Sequence, residues 1–215
     1  MNIIECEQGS DAWFAARLGK VSASRVADVI SKTKTGWGAS RANYAAELVA
    51  ERLTGVTAEK YSNAAMAWGT ETEPQARSMY EFMRDCTVQT VGTVLHPTIE
   101  MSCASPDGLV GDDGLIEIKC PNTATHIETL LGDAIAGKYM TQMQWQMACT
   151  GRLWCDFVSF DPRMNGELQL YCRRIVRDDA KISELEKDVT LFLAEVVGMI
   201  ARLKALYIPT AEAAE

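Results

Sequence analysis

Ser105-Pro106-Asp107-Gly108-Leu109-Val110, followed at once by Leu115-Ile116-Glu117-Ile118-Lys119-Cys120-Pro121, carries the information on which the fold turns. Pro-Asp-Gly reads as a turn, because proline fixes φ and glycine tolerates φ > 0. Gly111-Asp112-Asp113-Gly114 then reverses the chain. Leu115 to Lys119 alternates apolar and polar side chains, the period of a half-buried strand. Glu117 and Lys119 are two apart and leave the same face of that strand, while Leu115, Ile116 and Ile118 can anchor it. Asp107 enters from the neighbouring arm of the hairpin. Two carboxylates and an ammonium thus converge on one point.

Hard cations such as Mg²⁺ are held by one or two carboxylates together with substrate oxygens and water. A lysine beside such a site can orient an attacking water or offset charge in a phosphoryl transition state. The competing reading is a surface hairpin with an i,i+2 Glu/Lys pair, contributing about 0–1 kcal/mol. Spacing alone does not separate the two, because a Pro-Asp…Glu-x-Lys pattern is short and degenerate.

The chain has 215 residues, enough to bury a substantial core. No uninterrupted apolar run approaches the ~20 residues that cross a bilayer. Met1-Asn2-Ile3-Ile4-Glu5-Cys6 lacks the basic and apolar regions of a signal peptide. Seven cysteines without a Cys-x-x-Cys pair, beside only His96 and His126, argue against a zinc site or a disulfide framework and for a reducing compartment. The net charge of −8 argues against indiscriminate coating of nucleic acid. Its distribution is uneven. From Arg17 to Arg41 the basic residues Arg17, Lys20, Arg25, Lys32, Lys34 and Arg41 face a single acidic one, Asp28. A protein that takes DNA into one groove while its exterior repels DNA has this pattern, as does a plain asymmetric surface.

Read in order, Ser10 caps a short helix over 11–18 closed by Gly19. A second helix begins near Ser22-Ala23-Ser24 and runs to Ile30; its N-terminus, with two hydroxyls and Arg17 alongside, is a candidate anion site, although an N-cap role for either serine is the commoner one. Residues 31–38 read as a polar loop, 41–53 as a helix closed by Gly55. Pro74 either opens a helix or kinks one already under way, and Glu73 lies at that helix's entrance, where a glutamate ordinarily complements the dipole. Strands are expected over 86–94, 98–104 and 115–119, helices over 123–131 and 138–150, and a hairpin over 153–160 and 168–176. A long helix over 178–207 carries Ile182, Leu185, Val189, Phe192, Val196, Met199, Leu203 and Leu206 as one apolar stripe, favouring packing against the sheet over an oligomer seam. No repeat or linker divides the chain. The expectation is one domain over 1–215, of the α/β class, with a mixed central β-sheet flanked by α-helices and a frayed tail at 207–215.

Six blocks occur in register: Gln8-Gly9-x-Asp11-Ala12-Trp13 with Arg17-Leu18-Gly19, Ala67-Trp68-Gly69-x-x-x-Glu73, Cys103-Ala104-Ser105-Pro106-Asp107-Gly108-Leu109, Glu117-Ile118-Lys119-Cys120-Pro121, Gln142-Met143-Gln144-Trp145, and Phe160-Asp161-Pro162-Arg163-Met164. Together they resemble the phage lambda exonuclease family, the alkaline exonucleases of phage recombination with a restriction-endonuclease-like core. The resemblance spans about residues 5–200.

That resemblance implies a 5′→3′ exonuclease that degrades one strand of linear double-stranded DNA to mononucleotides and leaves a 3′ overhang. It implies Mg²⁺ as cofactor, two ions with Mn²⁺ able to substitute, and a ring-shaped homotrimer that threads DNA. It also implies a single-strand annealing protein as partner and the cytoplasm of a bacterial host as location, with no membrane association. By position, Glu73, Asp107, Glu117 and the Ile118 carbonyl match metal ligands and Lys119 the catalytic lysine. Arg17, Ser24, Ser105 and Gln144 match a pocket for the 5′ phosphate. Met66 takes the place of an apolar wedge between terminal base pairs, and Lys34 that of a basic residue touching the duplex. The alternatives are a structure-specific endonuclease of the same superfamily and a non-catalytic DNA-end binding protein.

Overall fold

The structure, a computed structural model, describes residues 1–57, 64–132 and 135–208. From the N-terminus come β1 (Asn2–Ile4), α1 (Asp11–Arg17), β2 (Val21–Ser22), a 3-10 turn (Ala23–Arg25) running into α2 (Val26–Val29), and the hairpin β3 (Lys32–Thr33) and β4 (Gly36–Trp37). Helices α3 (Ala39–Thr54) and α4 (Ala64–Arg84) follow, then β5 (Val88–Gln89), β6 (Thr93–Leu95), β7 (Ser102–Ala104), β8 (Gly108–Val110) and β9 (Gly114–Lys119). The chain ends with α5 (Thr123–Gly132), α6 (Gly137–Thr150), β10 (Trp154–Phe160), β11 (Leu170–Val176) and α7 (Asp179–Tyr207). The α/β class and mixed sheet expected from the sequence are what the structure shows.

Strand β9 is the centre. It pairs antiparallel with β8 and parallel with β10 in a sheet ordered β11-β10-β9-β8-β5. A parallel neighbour demands a crossover, and α5 and α6 supply it. Both faces of β9 are therefore covered, not one as alternation suggested. Ile116 and Ile118 point into a cluster with Ala76 and Tyr80 of α4, Val158 and Phe160. Leu115 points into the larger cluster with Phe157, Met143, Trp145 and Phe192. Arg152, buried, donates from Nη1 to the carbonyls of Gly111 and Gly114, both at 2.7 Å, and so holds the turn between β8 and β9.

A second sheet, ordered β1-β6-β7-β2, brings the N-terminal segment to the same place. Parallel pairing of Val21 and Ser22 with Ser102 and Cys103 lays residues 17–24 beside the strand that leads into Asp107. The run expected as one strand over 86–94 is two short ones, β5 and β6, in different sheets. Gly92 lies between them against the first strand: a Cβ there would stand 2.3 Å from the Ile4 carbonyl oxygen. The expected strand over 98–104 is confined to β7.

Three other expectations shift. Residues 31–38 hold a small hairpin rather than a loop, with Lys32 and Arg41 each over the Trp37 ring. Helix α4 is already under way at Pro74, the second of the two placements read from sequence, so Glu73 lies well inside a helix and not at its entrance. Helix α7 buries Ile182, Leu185, Val189, Phe192 and Val196, but it does so against α3, α2 and α6 rather than the sheet. Beyond Val196 the stripe emerges, with Met199, Leu203 and Leu206 exposed. The tail from Pro209 lies outside the described residues.

Candidate active site

The strand geometry places Glu117 and Lys119 on one face of β9, where their side chains meet at 2.5 Å. Glu117 is fully buried because α6 closes over it. Gln142 and Gln146, one turn apart, each donate an amide N–H to it at 2.6 Å, to Oε1 and Oε2 respectively. A buried carboxylate is stable only when paired and hydrogen-bonded, and Glu117 has an ammonium and two amides. Burial alone would lower the Lys119 ammonium's affinity for its proton, but Glu117 and Asp107 outweigh it and raise the pKa.

Asp107 arrives from the turn before β8. Its Oδ2 accepts the backbone N–H of Ile118 at 2.6 Å. Burial, and then the Glu117 carboxylate, push its pKa well above the ordinary range against the opposing pull of Lys119. Glu73 approaches from α4. Its pKa is also raised, by burial first and by Glu117, with Arg77 and Lys119 acting in the opposite sense. Arg77 links the two elements: Nη2 donates to Glu73 Oε1 at 2.6 Å and to the Asp107 carbonyl at 3.3 Å. Cys120, the next residue after Lys119, keeps its proton, since burial and the carboxylates of Glu73 and Asp107 push the thiol up to about 12.

These side chains fit a hard divalent cation. The donors are carboxylate oxygens, the nearest thiol is protonated, and the Glu117 carboxylate raises the pKa of both Asp107 and Glu73, a repulsion that a divalent cation relieves. Among the described residues no group of three or more His, Cys, Asp or Glu side chains is arranged to hold a metal ion. Mg²⁺ does not require one, because it retains waters and is bound through one or two carboxylates plus substrate oxygens. Asp107 and Glu117 are that pair, with Glu73 beside them and tied in through Arg77.

A second cluster lies two residues upstream of Asp107. Ser105 Oγ accepts from Arg17 Nη1 at 3.0 Å and from Trp13 Nε1 at 2.9 Å, and lies 3.3 Å from Thr93 Oγ1. The Arg17 guanidinium stacks over the Trp13 ring. Burial depresses the Arg17 pKa, though a guanidinium remains charged in proteins. Ser22 makes no cap bond to the turn that follows it. Its hydroxyl stands 3.4 Å from that of Ser24, which is exposed.

Of the residues singled out from sequence, Asp107, Glu117, Ile118, Lys119 and Glu73 come together, and Arg17 meets Ser105. Gln144 does not join them. Residues 142 and 146 share one helix face, and 144 points away from it. Gln144 is buried, donating to the Val176 carbonyl and accepting the Asp178 N–H, each at 2.9 Å. It belongs to the joint between β11 and α7. Gln142 and Gln146 are the glutamines of the site, and Trp13 and Arg77 join it without having been expected there. Lys34 is exposed at the tip of the β3–β4 hairpin. Met66 lies on α4, and its side chain falls outside what the structure describes.

Known proteins share this arrangement of elements. The profile of the YqaJ-like viral recombinase domain matches residues 12–153, which hold Arg17, Glu73, Asp107, Glu117 and Lys119. The chain belongs to that family. An alkaline exonuclease from Laribacter hongkongensis is 56% identical to it, with a TM-score of 0.86 over 91% of this chain and 97% of that one. The same enzyme in complex with dAMP matches at 57% identity, with the same TM-score and coverage. A phage-related exonuclease from Haemophilus somnus, 18% identical, shares the fold at a TM-score of 0.71 over 86% of this chain and 96% of that one. No curated protein matches. The lambda exonuclease-like family expected from the six sequence blocks is thus the right one, and this member of the YqaJ-like family is a recombination-related exonuclease. No helix among the described residues is long and apolar enough to cross a membrane.

Proposed function

We propose that this chain is a Mg²⁺-dependent 5′→3′ exonuclease acting on linear double-stranded DNA, releasing mononucleotides and leaving a 3′ single-stranded overhang. The observation that carries this reading is the adjacency of two clusters. Asp107, Glu117 and Lys119 form one, Arg17 and Ser105 the other, and Ser105 and Asp107 share one short turn of chain. The first suits phosphodiester hydrolysis, the second a terminal phosphate. The dAMP complex of the Laribacter enzyme supports a site that accommodates a mononucleotide.

When bound, Mg²⁺ supplies Lewis-acid activation of water and stabilisation of the leaving oxygen. Asp107, Glu117 and Glu73, with the Ile118 carbonyl, would hold it, one ion or two; Mn²⁺ has the same preference for oxygen. The protein's own groups do the rest. Lys119 Nζ, charged across the working pH range, donates to the water or to the phosphoryl oxygens where negative charge develops. Gln142 and Gln146 keep Glu117 in place. Arg17, presented by α1 and steadied on Trp13, takes the 5′ phosphate by charge-assisted hydrogen bonds and sets the register of the strand. Ser105 and the exposed Ser24 hydroxyl add donors. Lys34 on its hairpin and Met66 on α4 are proposed duplex contacts. A ring-shaped homotrimer, a single-strand annealing partner and a host cytoplasm complete the proposal.

The deciding experiment digests linear duplexes labelled at either 5′ or 3′ ends, bearing 5′ phosphate or 5′ hydroxyl, with Mg²⁺ present or chelated. Expected are Mg²⁺-dependent release of 5′ nucleotides, no attack on closed circles, and slow attack on 5′-hydroxyl ends. Arg17→Ala should erase that last discrimination. Cleavage of circles, or release first from 3′ ends, refutes the reading.

A further inference from the structure

Within the proposed nuclease reading, we infer that Arg77 is a positioning residue that presents Glu73 and the Asp107 turn to the catalytic cation. An i,i+4 Glu/Arg pair on a helix is ordinarily a surface feature worth about 0.2–0.5 kcal/mol. Three observations set this one apart. The same nitrogen that donates to Glu73 Oε1 also reaches the Asp107 carbonyl, thirty residues on and on a different element. The side chain is only 23% exposed, and its Nε is buried without an acceptor among the described residues. A guanidinium so withdrawn from water yet incompletely satisfied costs stability, and here the contacts it makes are to two residues of one site.

Asp107 is thereby fixed at both ends. Its side chain is held by the Ile118 N–H and its carbonyl by Arg77. Glu73, one-third exposed on α4, is held towards the same place by its ion pair with Arg77. With Arg77 on Oε1, the second oxygen of Glu73 is left for the cation. Removing an outer residue that orients a ligating carboxylate typically reduces metal affinity 10–100-fold.

The test reads Mn²⁺ binding to the full chain by electron paramagnetic resonance of the free ion, for wild type, Arg77→Met, Arg77→Lys, Glu73→Gln and the Arg77→Met/Glu73→Gln double variant. Michaelis constants for 5′-phosphorylated duplex are measured in parallel. Expected is about tenfold weaker Mn²⁺ binding in Arg77→Met, partial recovery in Arg77→Lys, and no further loss when Arg77→Met is added to Glu73→Gln. The Michaelis constant for DNA at saturating metal should be unchanged. Unchanged or tighter Mn²⁺ binding in Arg77→Met overturns the inference, since Arg77 would then be a bystander or a competing counter-charge. Additive losses in the double variant, or a raised DNA constant with intact metal binding, overturn it as well, the latter by making Arg77 a phosphate contact. If Arg77→Met does not fold, Arg77→Lys with and without Glu73→Gln answers the same question. A wild type that binds no Mn²⁺ sinks the metal reading itself and this inference with it.

Discussion

Asp107 accepts the backbone N–H of Ile118 at 2.6 Å, so the turn that carries one carboxylate is bonded directly to the strand that carries the other two ionic groups. That bond favours the ionised form of Asp107, yet burial and Glu117 still hold its pKa well above the ordinary range. The folded chain therefore binds this proton more tightly than the unfolded chain. The associated stabilisation is complete below about pH 4, the ordinary aspartate range, and is lost as pH rises through the elevated value. Asp107→Asn should then raise the melting temperature at neutral to alkaline pH in the presence of a chelator, by about 2–4 °C for each kcal/mol at this chain length. The gain should shrink as the pH is lowered towards about 4, and the variant should be inactive. Thermal melts across pH check this; a lower melting temperature at neutral pH contradicts it.

Lys119→Met removes the charge that Glu117 and Asp107 hold in place. Cleavage should fall by about 10²–10³, the loss seen when one transition-state donor is deleted. Binding of a 5′-phosphorylated duplex, followed by fluorescence anisotropy, should change little.

In the proposed metal site, protons and the cation would compete for the same carboxylates. Raised pKa values at Asp107 and Glu73 mean that activity should climb with pH as both lose their protons. Raising the Mg²⁺ concentration should move the acidic limb of the rate profile downwards, because metal binding releases protons. A limb that ignores Mg²⁺ assigns it to some other group.

The three glutamines of α6 should separate cleanly. Gln146→Ala, which strips a donor from buried Glu117, should slow cleavage about 10–100-fold. Gln144→Ala leaves the Val176 carbonyl and the Asp178 N–H unpaired, at about 1–3 kcal/mol. Its melting temperature should drop by several degrees while the rate per folded molecule and the preference for 5′ phosphate hold. Loss of that preference in Gln144→Ala would return this residue to the phosphate pocket.

These contrasts show where the sequence was readable. Pro106-Asp107-Gly108 and the alternation from Leu115 to Lys119 are local signals, and the hairpin they describe is present with Gly108 opposite Ile116. The capping of α1 by Ser10 is equally local. Which of Gln142, Gln144 and Gln146 meets Glu117 is not. That depends on how α6 is rotated where it docks on the sheet, and adjacent polar positions on a helix look alike until the docking is known. Arg77 was hidden differently, since Glu and Arg four apart on a helix are the commonest of surface patterns. The break between β5 and β6 comes from the close approach of Ile4 to Gly92, a contact between residues almost ninety apart.

The parallel pairing of β9 with β10 also bears on synthesis. By the time Lys119 has been translated, every charged group of the proposed centre exists, but Gln142, Gln146 and the crossover that seats α6 do not. Contacts of such long range form late, and Arg17 already waits for a partner 88 residues downstream. A ribosome-bound fragment ending before α6 therefore leaves Glu117 uncovered and the centre unassembled. The charged groups of the proposed centre are thus made before the helix that buries Glu117 among them.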